Sequence, residues 1–166
     1  MNWEAIGALG EVFGAFAVII TLIYLSTQIR QNTKAIKLNT SHAVTGQLLH
    51  IYSQMSEHDK LAELLQLGSA DPENITGSNK VRYYAMNTNF MRAVENAYIQ
   101  WSEDALDSRH WTGMRRMAID YAKVPGFQGF WRDRKHFFSE EFQEYMETDL
   151  MLDSSRPDVP LPGEFQ

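Results

Sequence analysis

The stretch Val12–Ile29, VFGAFAVIITLIYLSTQI, carries no charged residue and is almost wholly apolar. A bilayer core about 30 Å thick is crossed by roughly 20 apolar residues at 1.5 Å each, whereas a core helix of a soluble protein more often shows about 10 to 14 in a row. The apolar run from Ala5 to Ile29 meets the longer requirement, and residues 1–29 are therefore expected to form one transmembrane helix. Its clear exception is Glu11, which lies at the interface if the span starts at Val12. Trp3 and Tyr24 stand near the two ends, where interfacial aromatics belong. The competing reading is the central helix of a soluble bundle, apolar all round because it is buried on every side.

Charge orients the span. Only Glu4 and Glu11 precede the apolar run, while Arg30, Lys34 and Lys37 follow it directly. Positive residues stay on the cytoplasmic side, so the expected location is a cell inner membrane with the N-terminus outside and the C-terminal domain cytoplasmic. A cleavable signal peptide would need a positive n-region and a small-residue cleavage site, and neither is seen. The chain has Cys 0, in keeping with a reducing compartment.

Beyond the anchor the pattern is helical throughout, so the fold class is all-α. Residues 30–55 read as a juxtamembrane helix continuing the first, either unbroken or bent near Asn32–Thr33 or Gly46. Residues 56–152 then hold enough chain for one small helical domain. Ser56 and Asp59 suggest a partial capping box, with LAELLQL behind it and Gly68 as a stop. The loop SADPENITGS follows, and Ser78 or Asn79 is a possible cap for a helix reaching Trp101, with Val81, Tyr84, Ala85, Thr88, Met91, Val94, Ala97 or Tyr98, and Trp101 along one broad face. A helix over Ser108–Lys123 is ended by Pro125 and Gly126. A short helix runs from Phe127 to Phe138, and another starts at Ser139. The expected core is Tyr98, Trp101, Trp111, Phe130, Trp131 and Phe142. Residues 153–166, with Pro157, Pro160 and Pro162, read as an extended tail.

Three stretches, WEAIGALGEVFGAFAVIITLIYLSTQIRQN at the start and then PGFQGFW and FFSEEF, resemble a group of small, uncharacterised bacterial single-span membrane proteins. The resemblance covers most of the chain and is most specific in the first block. It implies a bacterial protein with one span and a helical C-terminal part. It brings no activity, catalytic residue or cofactor.

The residues themselves propose contacts rather than chemistry. Gly10 and Gly14 form a GxxxG, which lets two helix backbones approach closely. Gly7, Gly14, Thr21 and Gln28 recur every seven residues, and such a period lays them along one stripe of a gently supercoiled helix. A small and polar stripe in an apolar helix should face protein or water, so Gly7, Gly10, Gly14, Thr21 and Gln28 are candidate positions for an oligomer or partner interface, or for the wall of a water-filled lumen. Glu11 is either an intramembrane functional charge or an interfacial acid complementing the helix dipole. Arg30, Lys34, Lys37, Arg132, Arg134 and Lys135 are candidates for lipid headgroup contact, the last three against the alternative of an ordinary solvated face.

Catalytic, cofactor and metal sites are not expected. His42 and His50 are eight apart with no carboxylate at a helical offset, and zinc needs three or four converging ligands. GxSxG, P-loop and dinucleotide patterns are missing. A net charge of −6 argues against a nucleic-acid partner, which would call for a basic face. Two functions remain: a membrane-anchored helical protein acting as a homo-oligomer or accessory subunit of a larger membrane complex, or a membrane-tethered helical domain that binds a ligand or catalyses a reaction.

Overall fold

The computed structural model describes residues 2–70 and 72–153, which are all-α: six α-helices joined by short turns, with no strand among the described residues. The helices are α1 (Trp3–Glu57), α2 (Asp59–Ala70), α3 (Gly77–Ser102), α4 (Ser108–Ala122), α5 (Pro125–Arg134) and α6 (Glu140–Tyr145). A 3-10 turn at Lys135–Phe137 joins α5 to α6, and a π-turn at Met146–Leu150 extends α6. The chain divides into two compact units, Met1–Asn39 and Thr40–Gln166.

The first unit is helix alone. Between residues 6 and 36 every side chain is exposed, the apolar ones included. β-Branched residues such as Val18, Ile19 and Ile20 are indifferent helix formers in water. In an apolar medium the same backbone has no other partner for its amides and must close its own hydrogen bonds. The hydroxyls of Thr21, Thr27 and Thr33 follow suit, donating to the carbonyls of Ala17, Ile23 and Ile29 at 2.8, 3.0 and 3.0 Å.

The second unit holds the core. Sequence patterning began the domain at Ser56, but the compact unit starts at Thr40. Ser41 and Val44 are buried, and Leu48 and Ile51 pack half-buried against the core. Their spacing of three, four and three is one face of a helix, so the last turns of α1 are a wall of this domain. The core proper joins Phe90, Met91, Val94 and Ala97 of α3, Trp111, Met114, Ala118 and Ile119 of α4, and Phe127, Phe130 and Trp131 of α5. Phe142, Met146 and Leu150 close it from α6 and the π-turn.

Of the six residues expected in the core, five are buried and Trp101 is 36% exposed. It sits on the last turn of α3 and stacks on Trp111 from outside, with ring centroids 5.4 Å apart. From Met91 onward α3 turns in the expected residues, Met91, Val94, Ala97 and Tyr98, but its first half is rotated: Tyr83, Asn87 and Phe90 point in, and Val81 is 70% exposed. The helix starts at Gly77 behind Thr76, not at a Ser78 or Asn79 cap, and Thr76 makes no side-chain cap bond.

Glycine and proline act through packing where the sequence suggested punctuation. Gly68 does not stop α2, which runs on to Ala70. A methyl there would come within 2.5 Å of the Tyr83 ring and 2.6 Å of the Ile75 side chain. A methyl on Gly126 would run into the Gly68 carbonyl and the Tyr83 hydroxyl. The two glycines thus let α2, α3 and α5 meet closely. Pro125 begins α5 at its first position, where the missing N–H costs nothing. Of the expected tail only Asp153 is described; its carboxylate accepts from Arg115 at 2.9 Å.

Candidate functional site

Two surfaces deserve scrutiny as sites, the exposed apolar helix and a groove on the helical domain. On α1, a methyl built on Gly7, Gly10 or Gly14 would meet nothing within 4 Å, so that side of the helix is open to another backbone. Thr21 uses its proton on its own helix, and the Gln28 amide donates to the Tyr24 hydroxyl at 2.6 Å. What Thr21 still offers a partner helix is an acceptor oxygen, and Gln28 offers its carbonyl oxygen and its second amide N–H. Glu11 is exposed just before the apolar stretch, and Arg30 and Lys34 are exposed just after it, while Lys37 is half-buried.

The basic cluster at the end of α5 does not act as one patch. Arg132 lies 3.6 Å from the Asp133 carboxylate, and Lys135 donates to Glu147 at 2.6 Å. That Lys135 bond holds the Glu147 carboxyl below its ordinary range, and the Trp131 indole N–H adds to it. Arg134 alone of the three has no carboxylate partner among the described residues. Its guanidinium lies 5.6 Å from the centre of the Tyr84 ring and 5.4 Å from that of Phe137. Lys80, one turn before Tyr84 on α3, sits 5.4 Å from the same Tyr84 ring.

These side chains line a groove of about 410 Å³ together with Gly77, Val81, Ala85 and Thr88. Tyr84 is its fixed point. Its hydroxyl donates to Asp133 at 2.7 Å, and burial together with that carboxylate pushes the phenol up to about 12. The ring therefore stays neutral and offers its face to both cations, an attraction of about 0.5–2 kcal/mol each. Asp133 is in turn held below the usual carboxylate range, chiefly by the Tyr84 bond. Sequence reading found Arg134 and missed Lys80. The signal was the pair of spacings Lys80–Tyr84 and Arg134–Phe137, four and three residues apart on helical segments, which stack a cation on a ring.

A second groove, of about 340 Å³, runs between the end of α1 and α3 and is lined by Gln47, His50, Ile51, Gln54, Asn89 and Arg92. Arg92 is already engaged, donating to Glu95 and to the Phe137 carbonyl, both at 2.6 Å. Glu95, 5% exposed, also accepts from the backbone N–H and hydroxyl of Ser139 at 2.8 and 3.0 Å. This buried carboxylate ties α3 to the start of α6 and was not anticipated from sequence. Asn87 is likewise structural, donating to the Tyr83 carbonyl and accepting from the Tyr121 hydroxyl.

Among the described residues no three His, Asp or Glu side chains converge as a metal site. No family model, curated protein or solved structure matches the chain.

Proposed function

We propose that the chain is an inner-membrane protein of a bacterium, held by a single span over Val12–Ile29 and working as a homo-oligomer or as an accessory subunit of a larger membrane complex. One observation carries this reading. α1 is long and apolar enough to cross a membrane, and none of its most apolar window is buried. The helix at the centre of a soluble bundle would be covered by its neighbours. Soluble monomers rarely expose contiguous apolar patches beyond a few hundred Å², and a run including Phe13, Phe16, Ile20, Ile23 and Leu25, each more than half exposed, needs lipid or another protein around it.

The cations Arg30, Lys34 and Lys37 after the span favour a cytoplasmic helical domain, by the positive-inside tendency. In lipid, apolar side chains gain little by leaving the tails for one another, so association has to come from close backbone approach and interhelical hydrogen bonds. The open edge at Gly7, Gly10 and Gly14 offers the first.

Extraction and labelling test this in sequence. The chain should resist alkaline carbonate washing and leave the membrane only with detergent; release by carbonate would overturn the span. With Cys 0 in the chain, Ser78→Cys gives a single exposed thiol at the start of α3. An impermeant maleimide should label it only after permeabilisation, and labelling in intact cells would reverse the orientation. Gly14→Ile should lower the oligomer's order in detergent while insertion persists, and an unchanged order would remove the glycine edge as its cause.

A further inference from the structure

We propose that the groove between α3 and the turn after α5 binds the phosphate head of one anionic phospholipid, with Lys80 and Arg134 as its cations. The proposal rests on the membrane reading above and names a ligand for the helical domain.

Three properties of the groove converge. Its volume of about 410 Å³ lies within the range of small-molecule sites, roughly 300–1,000 Å³. Its two cations, Lys80 and Arg134, are exposed, each rests on aromatic rings, and neither closes an ion pair among the described residues, though the Lys80 charge is felt at Asp133. Their neighbours Arg132 and Lys135 both have carboxylates within reach. In a chain of net charge −6, two such cations over one ring are a local reversal of sign.

The third property separates a lipid from a bare anion. Val81 is 70% exposed and Phe137 45%, and both line the groove beside Tyr84 and Ala85. A free phosphate would use the cations and leave that apolar surface in water. A phospholipid covers it with its glycerol and first acyl carbons. Tyr84, pinned through its hydroxyl to Asp133, sets the spacing of both cations. The Asp133 charge, shared with Arg132, is the one feature of the site that opposes an anion, so removing it should strengthen binding.

Native mass spectrometry of the full chain in neutral detergent, titrated with phosphatidylglycerol, tests the proposal. Lys80→Gln with Arg134→Gln should weaken the first lipid adduct by about tenfold or more, as expected for losing two charge-assisted contacts. Both side chains are exposed but the substitutions take both cations off the Tyr84 ring, so the thermal midpoint is read beside the adduct, and the near-ultraviolet circular dichroism should keep its native form. Asp133→Asn should tighten the adduct, and Lys60→Gln with Arg116→Gln, two exposed cations outside the groove, should leave it unchanged. Equal binding of phosphatidylcholine, an unweakened adduct in the Lys80/Arg134 variant, or its loss in the Lys60/Arg116 variant would each overturn the proposal. Inorganic phosphate competing as well as the lipid would overturn it too, in favour of a bare anion site. The detergent titration stands apart from the carbonate wash, so failure of the span and failure of the groove are told apart.

Discussion

Replacing Glu95 with alanine should be among the costliest single changes in the helical domain. Its carboxylate is 5% exposed and accepts three hydrogen bonds, from Arg92 Nη1 at 2.6 Å and from the Ser139 N–H and hydroxyl at 2.8 and 3.0 Å. Ser139 is the N-cap residue of α6 and makes no side-chain cap bond of its own. Glu95 reaches across from α3 to its N–H, doing from another helix what the acidic residue of a capping box does from within. Each hydrogen bond to a charged group is worth about 1.5–3 kcal/mol when buried. The Arg92 side chain is 51% exposed, so water replaces much of that share and its contribution falls to about 1 kcal/mol or less. Ser139 is itself exposed, which discounts its two bonds as well, and the net loss should be about 2–4 kcal/mol, or roughly 8–16 °C in thermal midpoint for a domain of this size. Near-ultraviolet circular dichroism of the full chain in detergent reads it, because three of the four tryptophans, Trp101, Trp111 and Trp131, lie in this domain. Ser139→Ala added to Glu95→Ala should cost little more, since its partner is already gone. A loss under about 1 kcal/mol, with the two changes simply adding, would refute the tie between α3 and α6.

Other consequences are checked more simply. A fragment of residues 40–153 should unfold cooperatively in urea, and one starting at Ser56 should be weaker by at least about 1.5–3 kcal/mol, the worth of burying Val44 alone. Equal stability would return the end of α1 to a mere connector. Gly126→Ala should cost about 1–3 kcal/mol or more through its clash with the Gly68 carbonyl, while Gly129→Ala on the same helix, with nothing within 4 Å of the new methyl, should be close to neutral in the same unfolding assay. At high pH the Tyr98 phenol, pushed up to about 12 by burial and then by the Glu141 carboxylate, stays protonated in the fold after the unfolded chain has ionised near 10. Its share of stability is therefore complete below pH 10 and is lost as pH rises through about 12. Phenolate absorbance should show several late phenols, Tyr84 among them, and Tyr98→Phe should shrink that late amplitude by one phenol.

Periodicity revealed most of this architecture and burial decided the rest. The uncharged run at Val12–Ile29 and the aromatic-rich later segments announce themselves by composition. What periodicity could not supply is which side of a broad apolar face turns inward. On the first half of α3 the residues 81, 84, 85 and 88 and the residues 83, 87 and 90 both make helical stripes, and the second won because Tyr83 fits beside Gly68 and Phe90 packs on Tyr121, 4.8 Å between ring centres. Glu95 was invisible for a related reason, since a lone acid on a helix reads as solvent-facing until its partner 44 residues away is in place. The basic cluster at residues 132–135 was legible as composition but not as a site. Its members are separated by Asp133 and Glu147, and the cation that completes the groove lies on α3, far off in sequence.

The close approach of Gly68 to Gly126 also sets an order of manufacture. The two residues are 58 positions apart, and synthesis at about 5–20 residues per second puts roughly 3–12 s between them. α2 is the first helix made wholly within the domain, yet the surface it rests on, α5, is among the last. Until then the Gly68 face of α2, and the Tyr83 side chain once it is made, have no α5 against them. The earliest apolar face of the domain is thus available to a chaperone, or to a neighbouring nascent chain, until Gly126 emerges to close over it.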